Sequence, residues 1–276
     1  MSELSEQELA VARHYDETIF EYEATRLSSD CPLEFAIVTR YLERYLPADA
    51  VIAEVGVGVG HYSEWLARRG ARLYLVDVAD RLLQTANERL QTAGLGSHIL
   101  GAHRASATHL DSIAAGTCQA VLLLGPMYHL CALTDRQRAV SEAARVLEPG
   151  GLVFGAAINR LAYLRDTFRH TADCGASWRA FHDDFLRNGN LDPVHAPPIG
   201  FAHLSTVSEL RELFAPAFDE LALVGVESFT SVWQAAVRDL PPVDAAAWLD
   251  LVEETGKTPE GLGASDHFLY IGRRHA

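Results

Sequence analysis

An apolar run that dissolves into alternating glycines constrains this chain more than any other feature. It reads Val51-Ile-Ala-Glu54-Val-Gly56-Val-Gly58-Val-Gly60-His61, and Val76-Asp77 closes the next apolar run. The order is strand, glycine turn, helix, strand, acid. Glycine lets the backbone turn tightly and approach a ligand where a side chain would clash, and the following helix aims its first N–H groups at that ligand. An acid about twenty residues on, at the tip of the second strand, can accept both hydroxyls of a ribose. Together these features predict a βα unit that binds a nucleoside-containing cofactor.

The cadence continues on both sides of this unit. Residues from about 6 to 48 read as helical, with Pro32 dividing a first segment from a second, Leu33–Tyr45, that ends before Pro47. Strands are expected at Val51–Val55 and Leu73–Asp77 and, more weakly, at His98–Ala102, with a helix over Tyr62–Arg69 closed by Gly70. The next helix places Leu82, Leu83, Ala86 and Leu90 on one face. Gln119–Gly125 contains the continuous apolar run of a strand buried on both faces. Thr134 and Gln137 have capping-box spacing, for a helix that runs through Leu147 and stops at Pro149-Gly150-Gly151, before a strand over Leu152–Ile158. Such alternation implies a parallel sheet with ligands bound outside the carboxyl ends of its strands. The cadence breaks over residues 160–205, a loop-rich stretch expected to form an inserted cap. A helix at Thr206–Phe214 and strands near Glu220–Val226 and His267–Gly272 follow.

Composition narrows the partners. With 37 acids against 23 bases the net charge is −14, which repels phosphate backbones and anionic lipid. The four cysteines show no C-x-x-C spacing and read as buried thiols of a reducing, cytoplasmic compartment. No apolar run is long enough for a membrane span, and the acidic N-terminus does not resemble a signal peptide. A small-molecule partner is therefore expected, without nucleic acid or membrane, and with the oligomeric state open. No two histidines share metal-ligand spacing within one expected helix, so no structural metal is expected.

A dinucleotide fingerprint needs its third glycine where this chain has His61. An acid two residues before Gly56, followed by glycines at every second position, instead resembles motif I of the class I methyltransferases that use S-adenosylmethionine (SAM). The run Leu122–Leu130 and the segment Arg145–Gly151 are similar to the motifs that follow the fourth strand and lead into the fifth in the small-molecule members. The resemblance covers about residues 10–160 and the final strand pair. It implies a Rossmann-like, seven-stranded, mostly parallel sheet with an antiparallel last strand and helices on both faces. An N-terminal helical lid over residues 1–48 would cover a SAM-binding domain over 49–276 that carries the cap. SAM is the implied cofactor, with Gly56, Gly58, Gly60 and Gly125 around its methionine end. Glu54 would answer the cationic amino group, and Asp77 would take the ribose hydroxyls. Ser106-Ala107 stands where the family usually has Asp-Ala at the adenine, and Gln119 replaces an aspartate that often begins the fourth strand. Gly125-Pro126-Met127-Tyr128 lacks the polar first position of the Asn/Asp-Pro-Pro-Tyr motif of base methyltransferases, which argues further against nucleic acid.

Methyl transfer needs a positioned nucleophile and somewhere for its proton to go. Tyr128 and His129 follow the fourth strand; His129 is a candidate base and Tyr128 a candidate orienting group, against the alternative that both merely wall the cofactor. In the lid, Tyr22 and Arg26 lie one helical turn apart. Tyr22 is a candidate acceptor contact, and Arg26 a candidate partner for the methionine carboxylate, against a solvated surface arginine. Arg160, Arg165 and Arg169 follow the fifth strand and suggest an anionic acceptor group (phosphate, diphosphate or carboxylate), against salt bridges to nearby aspartates. A carbon acceptor would need an aromatic surround, for which Tyr15, Tyr22, Tyr128, Trp178 and Phe181 are available. The expected activity is SAM-dependent methylation of a small metabolite at O, N or C, with recognition sought in residues 160–205. The alternatives are an NAD-dependent oxidoreductase and a non-catalytic SAM-binding protein.

Overall fold

A computed structural model describes residues 4–276. The chain opens with α1 (Glu6–Arg13), a wide π-helical turn at His14–Thr18, α2 (Phe20–Ser29) and α3 (Pro32–Tyr45). Then come β1 (Val51–Val55), α4 (His61–Arg68), β2 (Arg72–Asp77), α5 (Asp80–Thr92), β3 (Ile99–Arg104) and β4 (Cys118–Leu123). The second half holds α6 (Leu133–Val146), β5 (Leu147–Ile158), α7 (Arg160–Thr171), α8 (Arg179–Asn188), and the short pair β6 (Asn190–Leu191) and β7 (Ala202–His203). It ends with α9 (Val207–Phe214), β8 (Phe218–Gly225), a 3-10 segment at Ser228–Asp239, α10 (Pro242–Thr255), α11 (Pro259–Ala264) and β9 (His267–Arg274).

Seven strands form one sheet in the order β3-β2-β1-β4-β5-β9-β8. The first five are parallel, and β9 runs antiparallel to both β5 and β8, so β9 alone is reversed. The strand order reverses between β1 and β4, and a crevice opens there at the carboxyl ends. Because side chains alternate along a strand, successive residues feed opposite faces. Ile52, Leu73, Leu75, Leu122 and Phe154 pack with α3, α4, α5 and α10 on one face. Ala53, Val55, Val76, Val121, Leu123 and Val153 pack with α6, α9 and α11 on the other. Both faces are dry, which explains why Ala120–Leu123 is uninterruptedly apolar and fully buried.

Three expectations need correction. The lid does not extend over residues 1–48: Ile37, Val38, Tyr41 and Leu42 put α3 into the core against the sheet, Leu27 of α2 joins the same cluster, and α1 and the π-helical turn lie outside it. Thr134 does not cap α6, which starts at Leu133 behind Ala132; Arg136 instead donates to the Leu130 and Cys131 carbonyls at the helix entrance. Pro149-Gly150-Gly151 is not a break between helix and strand but an irregularity inside β5, whose Leu147 already pairs with Cys118. Between β8 and β9 stands a second helical insertion, residues 226–266. The cysteines are free thiols, with Cys118 buried and the other three half-buried.

Candidate functional site

The glycine turn leaves β1 in a conformation open to few residues other than glycine. Gly56 has φ +79°, and a Cβ there would lie 2.7 Å from the Pro126 ring; Gly60 has φ +81°, and its Cβ would meet Ala86 of α5 at 3.0 Å. Gly60 therefore serves helix packing rather than ligand contact. Gly56 and Gly58 line a cleft of about 700 Å³ of empty space at the carboxyl ends of the strands. Val55, Asp77, Ala105, Ala107 and Gly125 continue its wall, one strand end after another. Tyr128, His129 and Leu130 close it from the loop after β4, and Glu8, Val11, Tyr15 and Glu23 close it from the N-terminal helices.

Asp77 first organises its own turn. Its carboxylate accepts the Gly58 N–H at 3.0 Å and the Ala79 N–H at 2.9 Å, and faces the cleft with its remaining lone pairs. Burial raises its pKa to about 6 against the opposing pull of those two N–H groups. A carboxylate held this way suits a ribose, whose two hydroxyls are donors. The cleft thus fits a nucleoside cofactor in its parts: glycine backbone at one end, an acid at the strand tip, and apolar Val78, Leu82 and Ala107 beyond it.

Glu54 does not contribute to that wall. It lies on the α4 side of β1, where the Ser63 hydroxyl donates to it, and burial raises its pKa to about 8 despite that bond. A carboxyl that is mostly protonated at neutral pH is no counter-ion for an ammonium. The acid that does face the glycine turn is Glu23 of α2, with Oε1 3.5 Å from where a Gly58 Cβ would stand. Burial raises the Glu23 pKa, and Arg26 opposes the rise. No motif marks Glu23; the signal available in the sequence was its place one turn from Arg26 on a helix expected to lie over the cofactor.

Arg26 is neither solvated nor free. It is ion-paired to Glu34 and reaches Glu23 at 3.3 Å. Glu34, Glu227 and His267 bring one ligand atom each within 4.8 Å of one another. Desolvation alone would depress the His267 pKa, but Glu227 and Glu34 outweigh it and raise it to about 9. The protonated ring donates from Nδ1 to Glu227 at 2.6 Å. Glu23, Arg26, Glu34, His267 and Glu227 therefore form a chain of alternating charge. These three donors are residue types that bind metal ions, yet Arg26 and the imidazolium already supply the positive charge that a cation would bring.

His129 uses both ring nitrogens. Nδ1 is 3.0 Å from the Phe201 carbonyl, which only accepts, so Nδ1 carries the proton and Nε2 the lone pair. The Tyr15 hydroxyl therefore donates to Nε2 at 2.9 Å. Burial lowers the His129 pKa to about 4, the Phe201 bond opposing, and burial raises that of Tyr15 well above its usual value. Tyr15 sits in the π-helical turn, a geometry that recurs at functional sites. Burial likewise raises the Tyr128 pKa.

The remaining candidates do not converge on the cleft. Ser106 is buried with its hydroxyl bonded to Thr108, while its neighbours Ala105 and Ala107 face the cavity. Tyr22 is half-exposed on α2, away from the lining. Arg160 is buried, its Nη2 donating to both carboxylate oxygens of Glu209, at 2.7 and 2.6 Å. Arg165 pairs with Asp266 and the Ser265 carbonyl, and Arg169 lies exposed on α7. Two of the three arginines are thus paired, by Glu209 and Asp266 rather than the nearby aspartates, and no anion site forms around them. Trp178 and Phe181 pack inside the cap, where Phe181 stacks on His195 with centroids 3.8 Å apart. No residue of 160–205 lines the cleft; the cap reaches its wall through the Phe201 carbonyl at His129, while the Pro198 carbonyl meets His14 outside the lining.

Comparison with known proteins agrees with this geometry. Residues 53–155 match the family model described as a methyltransferase domain. Methyltransferase GfsG of Streptomyces halstedii is 34% identical over 184 residues, covering 66% of this chain and 55% of that protein. A protein of Talaromyces variabilis named S-adenosyl-L-methionine-dependent Diels-Alderase iccD is 29% identical over 106 residues, 38% of this chain and 35% of its own. The chain thus spans between a third and about half of the length of these relatives. The N-methyltransferase NodS of Bradyrhizobium japonicum, solved with S-adenosyl-L-homocysteine, superposes with a TM-score of 0.57 at 14% identity over 98% of this chain and 99% of that one.

Proposed function

We propose that this chain is a class I SAM-dependent methyltransferase, a reading supported by the methyltransferase-domain match over residues 53–155 and by the Asp77 cleft, and that it methylates a hydroxyl group of a small, uncharged metabolite. The observation that carries the reading is the Tyr15–His129 pair at the cleft wall, 2.9 Å apart with the imidazole lone pair directed at the phenol. Bound SAM supplies an electrophilic methyl group on a sulfonium. Asp77 would hold the ribose, Glu23 beside Gly58 would answer the cationic amino group, and Ala105 and Ala107 would give the adenine an apolar wall, while Arg26 is already paired with Glu34 and Glu23.

The chain then has to take one proton from the acceptor. Burial lowers the His129 pKa to about 4, so the ring is neutral and weakly basic, and its Nε2 takes a proton only as the forming methyl–oxygen bond acidifies the acceptor hydroxyl. The acceptor hydroxyl gives its proton to the Tyr15 oxygen as Tyr15 passes its own to Nε2, and the Phe201 carbonyl holds the ring in the tautomer that permits this. The absence of arginines and lysines from the cleft lining favours an uncharged acceptor over an anionic one.

A test incubates the protein with methyl-labelled SAM and a metabolite extract and identifies the labelled product by mass. Tyr15→Phe and His129→Gln are expected to lower turnover by roughly 10²- to 10⁴-fold with S-adenosylhomocysteine affinity unchanged. An N- or C-methylated product, or variants that turn over normally, would sink the hydroxyl reading. A second reading, ring closure without methyl transfer, is favoured by one observation: both His129 nitrogens are satisfied within the protein, a wall suited to a substrate that gives up no proton. In that case an extract metabolite is converted while the label stays on SAM.

A further inference from the structure

A second cavity, with about 860 Å³ of empty space, lies in the insertion between β8 and β9 and shares no lining residue with the cofactor cleft. Leu33 of α3 and Val252 of α10 form its buried walls, and Phe229, Trp233 and Trp248 stand half-exposed or exposed at its rim. No charged residue lines it. One wall is the 3-10 segment Ser228–Asp239, twelve residues long where such runs seldom exceed four.

Within that apolar wall one polar group has no partner. The Gln234 side chain is more than nine-tenths buried, lines the cavity, and its amide oxygen accepts no hydrogen bond. The Ser231 hydroxyl, three residues earlier and so on the same face of a 3-10 helix, is also buried without a partner. Ser231 does not line the cavity, but a buried acceptor without a donor costs about 1–3 kcal/mol, so the unpartnered Gln234 amide in the wall of this apolar cavity points to a ligand that satisfies it.

We propose that this cavity binds a bulky, uncharged, hydrocarbon-rich small molecule that donates one hydrogen bond to Gln234. The aromatic rim supplies contact area, the uncharged lining excludes ionised ligands, and the amide oxygen fixes orientation, the usual division of labour in small-molecule sites. The site is separated from the cofactor by one layer: Leu33 lines it, while the adjacent Glu34 holds Arg26, which reaches Glu23 at the cofactor cleft. Neither methyl transfer nor ring closure is assumed.

N-Phenyl-1-naphthylamine has this chemistry, being neutral and aromatic with a single N–H, and its N-methylated analogue lacks the donor. Both are titrated by fluorescence into the 276-residue chain with S-adenosylhomocysteine saturating, so that the cofactor cleft is closed to the probe. The wild type is expected to bind the first probe saturably and roughly three- to tenfold more tightly than the analogue. Gln234→Leu is expected to equalise the two. Ala236→Trp, which fills the cavity from its lining, is expected to abolish saturable binding of both while calorimetric S-adenosylhomocysteine affinity stays intact. Unchanged probe binding in Ala236→Trp, or equal affinity of the two probes for the wild type, would overturn the proposal.

Discussion

Two cavities are built against one fold by opposite means. The cofactor cleft is made largely of backbone: a glycine turn, strand tips, and an aspartate that fastens the turn before it meets any ligand. The cavity of the second insertion is made of side chains on helices, with tryptophans and a single unpartnered amide. The difference teaches that one site is fixed by the geometry that makes the sheet, whereas the other depends on how an insertion happens to pack. Between them stands the charge chain from Glu23 to Glu227.

The largest effect is expected where the backbone has no freedom. Gly56→Ala combines a left-handed conformation with a Cβ 2.7 Å from the Pro126 ring, and is expected to cost roughly 2–5 kcal/mol in chemical denaturation and to abolish S-adenosylhomocysteine binding. Near-normal stability with intact binding would show that the turn is not the rigid element of the comparison.

The charge chain comes next. Because the folded-state pKa of His267 is raised to about 9, its contribution is complete below the unfolded value near 6.5 and is lost as pH rises through 9. Unfolding free energies measured from pH 6 to 10 are expected to fall by on the order of 3 kcal/mol more in the wild type than in His267→Gln, which retains the fall due to the buried Glu54. The same slope in both proteins would remove the chain as the partition between the cavities.

Asp77 sharpens the contrast from the cofactor side. Asp77→Asn is expected to weaken S-adenosylhomocysteine binding roughly tenfold to a hundredfold, because an amide accepts less strongly than a carboxylate. Ribose hydroxyls stabilise the ionised form, so wild-type affinity is expected to fall as pH drops below about 6, and calorimetry across pH 5–8 reads it directly. An affinity flat across that window would place the ribose elsewhere.

The smallest effect has the opposite sign. Gln234→Leu removes a buried acceptor that has no donor, so the unliganded protein is expected to gain about 1 kcal/mol by denaturation. A loss of stability would mean that the amide is satisfied within the protein.

Legibility followed the same division. Strand β4 was readable because a fully buried strand demands an uninterrupted apolar run, β1 and β2 because mostly apolar runs flank the turn, and the turn because left-handed geometry demands glycine. Glu54 misled because adjacency in sequence says nothing of which face a strand residue takes; it faces Ser63, one side chain away from the cleft wall at Val55. Arg160 and Arg165 misled because their partners, Glu209 and Asp266, lie 49 and 101 residues away. Pro242 and Pro259, each at the first turn of a helix, were available signals for the insertion after β8.

By itself, then, the sequence determined the sheet, the glycine turn and the class of cofactor, since each rests on local rules of backbone geometry and apolar periodicity. Only the tertiary structure decided that Glu23 faces the glycine turn, that Phe201 sets the tautomer of His129 for Tyr15, and that Gln234 is left unpartnered in a second cavity. Those facts depend on side chains from distant elements meeting in space, and no local pattern encodes such a meeting.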